Sequence, residues 1–111
     1  MDLAIETRQA GDRTIIAVTG ELDVHTAATL EKALTTSINA GDSRLLVDLS
    51  ELAFLDSTGL GVLLKGLKWA QDVGGGLQVV ADDDKIVKVF TITGLDRAVA
   101  LAASLTEAGV E

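Results

Sequence analysis

Residues 44–73 read RLLVDLSELAFLDSTGLGVLLKGLKWAQDV, and how this stretch divides decides the fold. Arg44 to Ser50 is a short continuous apolar run, the pattern of a strand buried on both faces. From about Thr58 to Val73 the period becomes helical. Leu60, Leu63, Leu64 and Leu67 form one stripe, and Val62, Gly66, Trp69 and Val73 form a second. Gly74 to Gly76 end that helix, and Leu77 to Ala81 read as the next strand. Strand, helix, strand in this order implies a parallel crossover.

Working outward, Leu3, Ile5 and Thr7 alternate with Ala4, Glu6 and Arg8, the two-residue period of a half-buried strand. Ala10, Gly11 and Asp12 supply a turn into Arg13–Thr19, which is β-branched and apolar on both faces, so the pair reads as a hairpin. Ala27, Leu30, Leu34 and Ile38 recur at helical steps, with Gly41 beyond them. Asp82 to Asp84 precede another helical stretch that Gly94 closes, and Val99 with Leu101 suggests a last short strand. Ser104 and Glu107 have the spacing of a capping box for a final helix. The expected fold is α/β: one domain over 1–111, with a mixed sheet of four to five strands against about four helices.

Nearly half of the 111 residues are apolar but only three are aromatic, so the core must be built from Leu, Val, Ile and Ala. With no cysteine there is neither a disulfide framework nor a thiolate metal site. The N-terminal residues lack the pattern of a signal peptide, and no window approaches the roughly 20 apolar residues of a membrane span. A net charge of −8 disfavours nucleic acid and anionic membranes as partners. These features lead us to expect a cytoplasmic protein that meets other proteins.

The junction FLDSTGLG, Phe54 to Gly61, admits two readings. In one, Asp56, Ser57 or Thr58 caps the following helix. In the other, a hydroxyl is presented where free N–H groups and the helix dipole favour an anion, so that a phosphoserine would gain hydrogen bonds there. The second apolar stripe predicts partial exposure of Val62, Trp69 and Val73. They either touch another helix or form a contact patch beside the hydroxyls, which an added phosphate would disrupt.

These landmarks carry a resemblance. GELD (Gly20 to Asp23) with His25, Thr26 and Ala27, the strand LLVDLS, FLDSTGLGVLL, and VFTITGL (Val89 to Leu95) are similar to the STAS-domain family, and within it to bacterial anti-sigma factor antagonists. The resemblance covers essentially the whole chain. It implies a non-enzymatic partner switch. The unphosphorylated protein binds an anti-sigma factor that is an ATP-dependent serine kinase, and so frees a sigma factor. Phosphorylation at Ser57 ends binding, and a metal-dependent, PP2C-type phosphatase resets the cycle. Thr58 is the family's second hydroxyl position, and Asp23 and Asp56 match flanking acids. The expected contact set is Glu21, Asp23, His25, Asp56, Ser57, Thr58, Gly59, Val62 and Trp69. No metal, cofactor or small-molecule ligand is expected; ATP belongs to the kinase.

Other residues support no competing chemistry. Asp48 sits where a receiver domain carries its phospho-acceptor, but the companion acids and lysine are misplaced. His25 is the only histidine, and no GxSxG elbow accompanies Ser57. A lone histidine among scattered acids has no metal-ligand spacing. Gly74 to Gly76 lacks the Lys-Ser/Thr of a phosphate-binding loop. The alternative function is a STAS scaffold that binds partners constitutively, in which Ser57 merely caps its helix.

Overall fold

The computed structural model describes residues 2–110. Five strands are interleaved with three α-helices: β1 (Leu3–Ala10), β2 (Arg13–Leu22), α1 (Ala27–Asn39), β3 (Arg44–Leu55), α2 (Ser57–Asp72), β4 (Gly76–Val80), α3 (Asp84–Thr93) and β5 (Ala100–Ala102). The strands lie in sequence order, β1-β2-β3-β4-β5. β1 pairs antiparallel with β2, and every later pair is parallel. Each parallel step is spanned by one helix, and right-handed crossovers in a constant direction place all three helices on the same face.

The core lies beneath those helices. Ile16 and Val18 of β2, Leu45, Val47 and Leu49 of β3, and Leu77 and Val79 of β4 meet Leu30 and Leu34 of α1, Leu60 and Leu63 of α2, and Ile86 and Phe90 of α3. A smaller cluster on the reverse face joins Ile15, Leu46, Val80 and Ala102 to Val110, so the segment after β5 shields only part of that face.

Several sequence expectations change at their edges. β2 and β3 run on to Leu22 and Leu55, and α2 begins at Ser57 rather than Thr58. The bond predicted by the last capping box exists, with Glu107 N–H donating to Ser104 Oγ at 3.1 Å. Among the described residues no α-helix follows it. The chain makes a single turn, closed by Ala108 N–H to Ser104 O at 3.0 Å, and Val110 then folds into the reverse-face cluster. The expected fourth helix is thus one turn. A three-residue 3₁₀ helix, Leu95–Arg97, connects α3 to β5.

The second stripe of α2 splits between two environments. Val62, expected to be partly exposed, is only 5% accessible and belongs to the main core. Gly66 is buried because α1 crosses there: a methyl group at this position would lie 2.8 Å from Leu34 Cδ1. Further along, Trp69 is half-buried and Val73 is 57% exposed.

Candidate functional site

β2 and β3 end side by side because their parallel register pairs Glu21 with Phe54 and Leu22 with Leu55. The chain then leaves both strands at their carboxyl ends, the end of the sheet where open α/β folds gather their functional loops. Asp56 N–H donates to Leu22 O at 3.2 Å and ties the two exits together.

The first exit is locked by its own side chains. The carboxylate Oδ1 of Asp23 accepts from His25 N–H at 2.9 Å and Thr26 N–H at 3.1 Å. The buried Thr26 hydroxyl donates to Glu21 O at 2.7 Å and accepts from Asp23 N–H at 3.0 Å. Burial pushes the Asp23 carboxyl up, but the N–H groups of His25 and Thr26, the Thr26 hydroxyl and the nearby imidazole outweigh it and hold the group below the ordinary carboxylate value. His25 and Val24 are left exposed at the tip.

The second exit answers the capping question. Asp56 is the N-cap of α2, and its Oδ1 accepts from Thr58 N–H at 2.9 Å and Gly59 N–H at 3.1 Å. Ser57 and Thr58 form the first turn and both are exposed. Asp56 thus already holds two of the first-turn N–H groups near which a phosphate on Ser57 would stand.

Six of the expected contact residues thus gather at one end of the sheet: Glu21, Asp23, His25, Asp56, Ser57 and Thr58. Three others contribute no exposed surface there. Gly59 is buried, and a methyl group there would lie 2.6 Å from Leu22 Cγ and 2.8 Å from Leu55 Cδ1. Its role is to let α2 sit close on the two strand ends. Val62 is core. Trp69 lies twelve residues along α2 from Ser57, roughly 18 Å at 1.5 Å per residue. There it lines a groove with Thr35, Ile38, Asn39, Asp72 and Val73, away from the hydroxyls.

Two apolar residues at this end escaped the sequence reading. Phe54 is 46% exposed and Val24 is 65% exposed, the first at the end of β3 and the second in the loop after β2. Phe54 lies in the part of β3 beyond the strand expected at Arg44 to Ser50. The signal that could have found it is the pattern of Leu52, Phe54 and Leu55: the ladder shifts register between Gly20 and Glu21, so Leu52 and Leu55 turn inward and Phe54 outward. Among the described residues, no three His, Asp or Glu side chains are grouped to hold a metal ion.

The description of the STAS domain matches residues 4–108. The chain belongs to the STAS-domain family. Its sequence relatives include the anti-sigma-B factor antagonist of Staphylococcus aureus, 37% identical over 86% of this chain and 88% of that protein. The anti-sigma-B factor antagonist of Bacillus subtilis is 29% identical over the full length of both. Among solved structures, an anti-sigma factor antagonist from Mycobacterium paratuberculosis superposes with a TM-score of 0.85 at 28% identity, covering 96% of this chain and 91% of that one. The mixed STAS sheet, expected from the sequence with four to five strands, is observed with five. Among the described residues, no helix of this STAS domain is long and apolar enough to cross a membrane.

Proposed function

We propose that this STAS domain is an anti-sigma factor antagonist, a binding protein whose hold on an anti-sigma factor is released by phosphorylation at Ser57. The observation that carries the reading is the division of labour at the start of α2. Asp56 supplies the cap, so Ser57 is exposed at the positive end of a helix yet not needed to build it. A scaffold reading in which Ser57 exists only as a cap loses its reason. The names of the relatives support the same partner class.

In the unmodified state, Phe54 and Val24 offer exposed apolar surface where β3 and β2 end, and Glu21, Asp23 and Asp56 add negative charge at the same strand ends. Such a surface suits a partner with an apolar spot rimmed by basic residues, and the charges speed encounter. A phosphate on Ser57 adds about −1.5 to −2 charges at the rim. Desolvating it against the partner costs on the order of 2–5 kcal/mol, a loss of roughly 30-fold to several thousand-fold in affinity. The kinase is the anti-sigma factor itself, using ATP, and a metal-dependent phosphatase restores the serine.

Incubation with ATP and the cognate anti-sigma factor should add one phosphate, mapped by mass spectrometry to Ser57. Ser57→Ala should take up none and still bind, whereas Ser57→Glu should bind at least tenfold more weakly. Addition of phosphate elsewhere, or equal affinity of the acidic variant, would overturn the proposal.

A further inference from the structure

β1 is the outermost strand of the sheet, and its far side faces no other described strand. An eight-residue edge without proline or a bulge against its neighbour is a ready template for another strand. Which backbone groups it offers follows from its pairing with β2. Glu21 N–H donates to Asp2 O at 3.2 Å, and Asp2 stands one step before the Leu3–Gly20 pair. Alternation from there turns the even-numbered residues of β1 toward β2, and leaves the N–H and C=O groups of Leu3, Ile5, Thr7 and Gln9 pointing outward.

The side chains then choose a partner. Glu6 and Arg8 are both exposed, of opposite sign, and two residues apart on the same face of β1. An antiparallel copy of the same strand, placed with Thr7 opposite Thr7, sets Glu6 of each chain against Arg8 of the other. That register also puts outward-facing backbone groups opposite one another. Its Glu6–Arg8 pairs are non-hydrogen-bonded pairs, in which Cα atoms approach to about 4.5 Å and side chains interact most closely. Neighbouring in-phase registers fare worse. A two-fold axis at Glu6 or at Arg8 opposes like charges, and an axis at Gln9 sets Glu6 against Asp12. An axis at Ile5 shortens the ladder, faces Glu6 with Ala4, and brings Arg8 only to Asp2, outside the strand.

We propose that β1 is a self-complementary edge that pairs two copies of this chain antiparallel about Thr7, joining their sheets into one. The half-buried Leu3 and Ile5, already packed against the core, gain cover from the added strand. The charges that normally deter edge pairing act here to select the register. The interface lies along the sheet's side, and so leaves the ends of β2 and β3 unobstructed.

A strand-edge contact of this size belongs with the weak, reversible interfaces, so sedimentation equilibrium should be followed up to about 1 mM protein. Wild type should show a monomer–dimer equilibrium. Glu6→Arg and Arg8→Glu should each raise the dissociation constant about tenfold or more, by opposing like charges. The double variant Glu6→Arg/Arg8→Glu should recover wild-type association, and an equimolar mixture of the two single variants should form heterodimers. Unchanged thermal melting of each diluted variant confirms that the fold is retained. A wild type that stays monomeric throughout, or a dimer indifferent to the single swaps, would overturn the proposal. Failure of the double variant to recover would overturn the register.

Discussion

Replacing Asp56 with alanine leaves the N–H groups of Thr58 and Gly59 without their acceptor, and should lower stability by about 1 kcal/mol. Ser57→Ala, one residue later, should stay within about 0.5 kcal/mol of wild type, because an exposed first-turn side chain carries no cap. Urea unfolding of the two variants checks this contrast; equal losses would return the capping role to Ser57. Gly59→Ala should cost about 1–3 kcal/mol by forcing Leu22 and Leu55 apart, while altering the site only through movement of α2. Asp23 has a lowered value in the folded protein, so its stabilising contribution is present above the unfolded value of about 3.9 and is lost as pH falls through the folded one. The stability gap between wild type and Asp23→Asn should therefore be open at neutral pH and close in acid, as read from urea midpoints across that range.

Among the elements, α2 was the most legible and also the most misleading. Its two apolar stripes announced the helix, but the partial exposure expected of the second holds for Trp69 and Val73 and not for Val62. Periodicity could not say that Val62 would join the core, that α1 would pack on Gly66 and that Val73 would stay exposed, because that depends on where the helices cross. The hairpin, the parallel crossovers and the acid-led start of α3 were readable because each rests on local pairing or capping. Asp83, for example, accepts from Lys85 N–H at 2.8 Å. The single turn after Ser104 was misread for the opposite reason: its capping bond is local, but a helix needs an apolar face to dock, and Val110 is already committed to the reverse side of the sheet. At the site, the hydroxyls and acids were legible as a motif. Phe54 and Val24 were not, since a register shift between β2 and β3 and a loop conformation expose them. Phe54→Ala should weaken binding to the anti-sigma factor by about tenfold or more while leaving the melting temperature nearly unchanged. Isothermal titration beside a melting curve would measure both.

For the whole molecule, the helices on one face leave the other dependent on the segment after β5. Arg13 Nη1 donates to Ala108 O at 2.6 Å and fastens that segment across the strands. Arg13→Ala should accordingly increase hydrogen exchange in β5 more than in β2, since β5 touches only β4 within the sheet. Equal exchange in the two strands would show that the fastening is not local. The strand order carries a consequence for synthesis as well. Because each strand lies against the one made just before it, a chain emerging from the ribosome never has to wait for a distant partner or leave a gap to be filled later. The sheet can grow in the direction of translation, and its last and shortest strand arrives at a surface already waiting for it.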